Sequence, residues 1–263
     1  MRGYRPKKRL GQNFLQSQLV VKKLVELIDP RADERIIEIG PGRGALTTVL
    51  ASSGALITAV EFDRDLIGGL AKLTAPHSNV EILNQDFLKY EPSTGNFKLV
   101  GNIPFNITSP VIDWIVRHRS SVTRAVLMVQ KELAERLAAS PGSKNWSPMA
   151  IMTQLHFRVN ICFDVAASSF KPPPKVVSSV IELVPVESRP MEQADFFEGL
   201  VRAAFSHRRK ILINNLVPGF VKDKQAVADA IASLGLSGRV RAEELSTAQF
   251  LELTKLLAPF NIS

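Results

Sequence analysis

The sequence predicts an α/β protein, a mostly parallel sheet with helices on both faces, followed by a small all-α domain. Three observations lead there. Short apolar, β-branched runs alternate with helix-periodic segments from Arg35 to about Gln130. The first of those runs, R-I-I-E-I, ends in three closely spaced glycines, Gly40, Gly42 and Gly44, before good helix formers begin. After Val184 the texture changes, and the rest is helix-periodic with no convincing strand. A boundary is therefore expected near residue 187, at the linker Glu187-Ser188-Arg189-Pro190. It separates a domain of residues 1–187, with a basic N-terminal arm, from a helical domain of residues 188–263.

Along the chain, residues 2 to 9 carry Arg2, Arg5, Lys7, Lys8 and Arg9, too polar to pack alone and suited to gripping phosphates. G-Q-N-F-L at Gly11–Leu15 follows, with Gln12 and Asn13 beside Phe14 and Leu15 placed to form a lid over a ligand. An amphipathic helix with Leu19, Leu24, Leu27 and Ile28 on one face is closed by Pro30. Strands are expected to Ile39, to Val60, near Ile82, over Phe97–Gly101 and over Ala125–Val129. Helices are expected from Ala45, Asp63 and Pro110, and over Lys131–Ala139. A flexible loop, P-G-S-K-N-W-S-P, comes next. Two β-rich runs, Val159–Val165 and Val177–Val184, are expected to pair as an antiparallel hairpin at the sheet edge. Between them F-K-P-P-P-K-V is a stiff extended loop, whose Lys171 and Lys175 are further candidate contacts to phosphates.

What surrounds the glycines selects the ligand. No Lys-Ser or Lys-Thr follows Gly44, which argues against a triphosphate loop, and G-x-G-x-G is not the dinucleotide spacing G-x-G-x-x-G. Glu38, two residues before Gly40, would repel a pyrophosphate but welcome the cationic sulfonium and ammonium of S-adenosylmethionine. Glu61 ends the second strand, where a carboxylate grips ribose hydroxyls. Asp86-Phe87 ends the third, an acceptor and an aromatic face for adenine.

The net charge of +8 points to a polyanion, nucleic acid before membrane. A single cysteine, Cys162, read as a buried small hydrophobe, rules out a disulfide framework or a cysteine-based zinc site, and no metal is expected. The N-terminus lacks the apolar segment of a signal peptide, and no apolar run is long enough to span a bilayer, so a cytoplasmic monomer is expected. Ser206-His207-Arg208-Arg209-Lys210 places consecutive cations after a helix, a candidate RNA-contacting ridge.

The chemistry is read from Asn102-Ile103-Pro104-Phe105 at the fourth strand end. The exocyclic nitrogen of adenine is a poor nucleophile because its lone pair is delocalised. Acceptors on its two hydrogens favour the pyramidal form that attacks a methyl group. An Asn side-chain oxygen and a backbone carbonyl fixed beside a rigid Pro supply them. The aromatic that follows can stack on a base swung out of its helix, worth roughly 1–3 kcal/mol.

Together, G-Q-N-F-L, E-I-G-P-G-R-G-A-L-T, Glu61, Q-D-F, N-I-P-F, V-Q-K-E-L-A-E-R-L-A and F-K-P-P-P-K-V resemble the ribosomal RNA adenine N6,N6-dimethyltransferase family. The resemblance implies a Rossmann-like class I methyltransferase with a mostly parallel seven-stranded sheet. It implies that Asn13, Leu15, Gly40, Glu61, Asp86 and Asn102 border S-adenosylmethionine. Phe105 would then hold the target adenine, with Asn102 and the Ile103 carbonyl orienting its amine. A-F-S-H-R-R-K-I-L-I-N-N-L and R-A-E-E-L-S are similar to the small-subunit (KsgA) branch and lacking in the Erm branch. That branch implies dimethylation of two adjacent adenosines near the 3′ end of 16S rRNA during small-subunit biogenesis. The alternatives are an Erm-like 23S rRNA dimethyltransferase and a non-catalytic RNA-binding assembly factor. Trp146-Ser147-Pro148 stands where the family usually has Tyr-Gly, and Ile213 where a basic residue is common. These departures are expected to alter a substrate-side loop and a phosphate contact.

Overall fold

The computed structural model describes residues 4–187, 192–217 and 219–260. The chain divides into two compact units, the first built from residues up to Ala134 together with Phe157–Pro185, the second from Glu135–His156 and Val186 onward. The sequence reading kept all of 1–187 together; the structure removes residues 135–156 from that block. The reason is apolar. Trp146, Ala150 and Ile151 are buried in one core with Phe197, Leu200 and Phe250, which lie far along the chain.

The first unit holds β1 (Phe14–Leu15), β2 (Arg35–Ile39), β3 (Leu56–Glu61), β4 (Val80–Asn84), β5 (Phe97–Asn102), β6 (Val122–Gln130), β7 (Phe157–Val165), β8 (Phe170–Lys171) and β9 (Ser178–Pro185). Seven of them form one sheet in the order β4-β3-β2-β5-β6-β9-β7. The β2–β3, β3–β4, β2–β5 and β5–β6 pairs are parallel, and β9 runs antiparallel to both β6 and β7. This is the expected mostly parallel seven-stranded sheet, with the predicted hairpin of β7 and β9 at its edge. Central strands read as near-continuous apolar runs, such as Ala125–Val129, because both faces are covered. From β2 the chain builds outward to β4, then returns to lay β5 on the other flank of β2. That reversal leaves a crevice at the carboxyl ends of the strands, where α/β sheets bind ligands.

Helix α1 (Gln18–Ile28) is capped by Ser17, whose side chain accepts from the Val20 N–H, and ends at Asp29 in the left-handed region, φ 48°, before Pro30. It buries Val20, Val21, Leu24 and Ile28, while Leu19 is 65 % exposed. Leu19 was expected on the buried face. The i, i+4, i+8 row from Val20 defines that face, and Leu19 points about 100° away from it. Helix α2 (Thr47–Ala51) begins two residues later than expected, because turns continue to Leu46. Then follow α3 (Arg64–Thr74), α4 (Thr108–Arg117) and α5 (Lys131–Leu137). Cys162, expected buried, is half-buried on the edge strand β7.

The second unit is helical: α6 (Pro148–Gln154), α7 (Ala194–Ala204), α8 (Leu212–Leu216), α9 (Lys224–Ser233) and α10 (Thr247–Leu257). The segment expected to be a flexible loop is ordered by its own residues. Trp146 is buried and its Nε1–H donates to the Leu245 carbonyl at 2.8 Å; Ser147 caps α6 by accepting from the Ala150 N–H, with Pro148 next in line. Of the linker, Ser188-Arg189-Pro190 lies outside the described residues. Among the described residues no helix is long and apolar enough to cross a membrane.

Candidate active site

A cavity of about 290 Å³ opens at the carboxyl ends of β2, β3 and β5, inside the first unit. Its floor is the glycine turn. Gly40, Gly42 and Gly44 have φ of 61°, 59° and 78°, the left-handed region where a side chain is strained. A Cβ on Gly40 would meet nothing within 4 Å and so would fill the cavity it lines. One on Gly42 would come within 3.0 Å of the Phe14 ring. Gly44, expected at the ligand, does not line the cavity; a Cβ there would sit 2.6 Å from Leu73, so this glycine lets α3 pack closely.

The β3 end supplies Glu61, buried, with Oε2 accepting from the Gly42 N–H at 3.0 Å and Oε1 from the Asp63 N–H at 2.7 Å. Burial raises its pKa, and those backbone hydrogen bonds oppose the rise. Asp86 lines the cavity while its Oδ1 accepts from the Leu88 N–H at 3.0 Å, capping a short 3-10 turn, Phe87–Lys89. Phe87 also lines it, from within an aromatic cluster, its ring centroid 4.6 Å from that of Trp114.

At the β5 end all four residues of N-I-P-F line the cavity. Asn102 Nδ2 donates to the Asn13 carbonyl at 2.8 Å, which fixes the amide with Oδ1 as its acceptor side. Ile103 is buried and its N–H donates to Met128 O at 3.0 Å, while Pro104 leads into a 3-10 turn, Phe105–Ile107, that presents the half-buried Phe105. Gln12 and Asn13 line the cavity from the N-terminal side, as a lid would. Leu15 does not; it pairs with Phe170 where β1 meets β8 and faces a separate void of about 40 Å³.

Glu38 lies elsewhere than expected. It is 2 % exposed beneath the glycine turn and borders the smaller void rather than the cavity. Burial pushes its carboxyl up to about 8, eased by the nearby Thr47 hydroxyl and increased by the Glu61 charge. Its Oε2 and the Thr47 hydroxyl are buried without a hydrogen-bond partner. A carboxyl held neutral there brings no charge to a ligand; the acidic side chains that line the cavity are Glu61 and Asp86. No Lys or Arg lines the cavity among the described residues.

The described part of the basic arm packs through Tyr4 and Lys7. Tyr4 meets Phe14 edge to face at a centroid distance of 5.8 Å, and Arg43 lies over the Phe14 ring at 4.8 Å. Lys7 Nζ pairs with Asp63 Oδ1 and Asp65 Oδ2, each at 2.6 Å, so it is already neutralised within the chain. Arg5, Arg9, Lys171 and Lys175 are exposed; residues 1–3, with Arg2, and the side chain of Lys8 lie outside what is described. In the second unit Arg209 and Lys210 are exposed, whereas Arg208 reaches the Lys144 carbonyl and Glu243. The loop that carries them is clamped by Asn215, whose Nδ2 donates to Ala204 O at 2.6 Å and His207 O at 3.1 Å. The two family departures are packing residues: Trp146 is core, and Ile213 rests on that core.

The sequence reading missed Phe62, 59 % exposed at the cavity, although an aromatic directly after the strand-end Glu61 was a signal for it. Asn106, Ile107, Phe170 and Pro174 also line the wall, the last two brought in by the pairing of β8 with β1.

The ribosomal RNA adenine dimethylase family model matches residues 3–259. The ribosomal RNA small subunit methyltransferase A of Pseudomonas syringae pv. syringae is 39 % identical over 97 % of this chain and 96 % of its own. The protein of that name from Legionella pneumophila is 35 % identical over 96 % and 98 %. Among solved structures, a dimethyladenosine transferase from Plasmodium falciparum superposes with a TM-score of 0.84 at 28 % identity, covering 94 % of this chain and 98 % of that one. The 23S rRNA methyltransferase ErmE gives 0.76 at 29 %, covering 94 % and 100 %. With its match running almost end to end, and the glycine turn and N-I-P-F facing one cavity, the chain belongs to the ribosomal RNA adenine dimethylase family.

Proposed function

We propose that the protein transfers methyl groups from S-adenosylmethionine to N6 of two adjacent adenosines near the 3′ end of small-subunit rRNA, as part of small-subunit biogenesis. The observation that carries the donor assignment is the cavity wall: two carboxylates, Glu61 and Asp86, a glycine floor open at Gly40, and no lining cation among the described residues. A pyrophosphate cofactor would be repelled there, while an adenosyl group bearing positive charge is favoured. When bound, S-adenosylmethionine supplies an electrophilic methyl group on a cationic sulfur. Glu61, braced by two backbone N–H groups, is the residue to hold the ribose, and Asp86 with Phe62 and Phe87 the residues to hold the base. The whole 188–263 segment, with Arg209 and Lys210, is assigned to RNA and ribosome binding, and Arg5, Arg9, Lys171 and Lys175 to further phosphate contacts.

On the acceptor side, Asn102 Oδ1 and the Ile103 carbonyl accept hydrogen bonds from the two amine hydrogens, which localises the nitrogen lone pair. Phe105 stacks on the everted base. Once methylated the amine is cationic and acidic and sheds its proton without a strong base, so the side chains act by positioning and electrostatics. The Asn13 carbonyl matters through Asn102, because it sets which way the amide faces. Small-subunit rRNA is chosen over the large subunit because the relatives at 35–39 % identity carry the small-subunit name, against 29 % for ErmE.

The test offers labelled S-adenosylmethionine with small subunits lacking the modification, beside large-subunit RNA and DNA. Dimethyladenosine in the small subunit alone is the expected result. Label in large-subunit RNA moves the protein to the other branch, and no label anywhere leaves an assembly factor.

A further inference from the structure

Asp63 does not line the cavity, yet it sits at the centre of a polar network that reaches the N-terminal segment. It is buried, and its carboxylate accepts from Lys7 Nζ at 2.6 Å, from Gln12 Nε2 at 2.8 Å and from the Asp65 N–H at 3.1 Å. The single proton of the Tyr4 hydroxyl lies within reach of both Asp63 Oδ2 and Gln12 Oε1. Gln12 Oε1 also accepts from the Lys7 N–H at 2.8 Å, so its amide has only one workable orientation. The Asp63 N–H in turn donates to Glu61 Oε1 at 2.7 Å. One residue thus joins the segment from Tyr4 to Phe14 to the carboxylate on the opposite wall.

That segment lines the cavity and touches both its glycine floor and its N-I-P-F end. Phe14 rests on Gly42, where a Cβ would come within 3.0 Å of its ring, and a Cβ on Gly11 would come within 3.2 Å of Asn106 Oδ1. The Asn13 carbonyl holds Asn102. Among the described residues the segment's strand pairing is short: Phe14 pairs with Lys171, and Leu15 just beyond the segment with Phe170. The segment's hold on the β3–α3 corner is part apolar, with Phe14 and Tyr4 packed against Leu66 and Leu70 of α3, and part polar, where Asp63 is the shared acceptor of Lys7, Gln12 and Tyr4. The opposing charge of Lys7, with hydrogen bonds from Tyr4 and Gln12, keeps the Asp63 carboxyl down at about 2 despite its burial, so the carboxylate is present throughout the working pH range.

We propose that Asp63 is a positioning residue for the methyl donor: it latches the Tyr4–Phe14 segment along the cavity and squares the Glu61 carboxylate, so that donor retention depends on it. The proposal rests on the reading of this cavity as the S-adenosylmethionine site. Asp63→Asn keeps the volume but turns one acceptor oxygen into a donor facing Lys7 and Gln12.

The variant and its parent are compared in three ways: calorimetric titration with S-adenosylmethionine, KM and kcat for the donor, and hydrogen exchange of amides 11–14 without ligand. Asp63→Asn is expected to raise the dissociation constant and KM by at least about tenfold while kcat at saturating donor stays within about threefold, as lost hydrogen bonds to a charged group would. Amides 11–14 should exchange faster. Gln12→Glu added to Asp63→Asn restores a carboxylate opposite Lys7 and should recover most of the affinity. Lys7→Ala should act in the same direction as Asp63→Asn, more weakly. Parent-like affinity together with parent-like exchange in Asp63→Asn overturns the latch, as does a fall in kcat with KM unmoved. Should the parent itself bind no S-adenosylmethionine, the donor assignment fails instead, and the exchange comparison still decides whether Asp63 holds the segment.

Discussion

Replacing Glu38 by Gln should make the protein more stable at alkaline pH and change little in acid. The side chain is 2 % exposed, and its carboxyl titrates at about 8 in the folded chain against 4.5 for an ordinary glutamate. The folded state therefore binds this proton more tightly than the unfolded state does. Stability is full below about 4.5, declines as pH rises towards 8, and reaches a ceiling loss of about 5 kcal/mol beyond it. Between pH 5.5 and 8.5 the same linkage gives about 3 kcal/mol, or roughly 6–12 °C in melting temperature for a domain of this size. The amide introduced by Glu38→Gln has no proton to lose. Groups remote from Glu38 titrate alike in both proteins and cancel in the difference; Glu61, whose charge acts on Glu38, is the coupled exception. Ligand-free thermal and urea unfolding at the two pH values, parent against Glu38→Gln, reads the effect directly. Two parallel pH profiles would refute the reasoning, because they would mean that Glu38 reaches water or a cation and ionises freely.

Asn102→Ala should abolish methyl transfer to rRNA while donor binding stays measurable by calorimetry; unchanged turnover would remove the acceptor assignment. Trp146→Ala should destabilise the helical unit by about 3–5 kcal/mol, from the cavity and the unpaired Leu245 carbonyl, and a melting curve within error of the parent would contradict that. Arg209→Ala with Lys210→Ala should weaken RNA binding and lower the slope of log affinity against log salt by about 0.7–0.9 per residue, while Arg208→Ala should do less because of its internal partners. An unaltered slope would make those cations a solvated face.

The features legible in the sequence were local ones. The glycine turn, Glu61 at a strand end and N-I-P-F at another each follow from a few adjacent residues, and the parallel sheet gathers strand ends on one edge, so their meeting was predictable. What escaped depends on partners far along the chain. Lys7 looks like a free arm cation until Asp63, 56 positions later, takes its charge. Glu38 reads as an acid beside a ligand, but whether it faces a cleft or the underside of a turn is decided by how Phe14, Leu24 and Leu46 close over it. Leu19 shows a finer limit: the period was right, but which apolar residue begins the buried row depends on what the helix packs against. Trp146 looked like a loop aromatic because its pocket is assembled from residues near 200 and 250.

Because Glu135–His156 belongs with the helices after Val186, the polypeptide passes from one unit to the other three times, and the second is not a cassette appended to the first. Expressing 188–263 alone would omit a tryptophan and a short helix from its interior, and cutting at 187 would strand that tryptophan in solvent. Grafting, truncation and chimera experiments within this family therefore succeed or fail on whether the two stretches travel together, and pieces cut at the apparent linker should aggregate rather than fold.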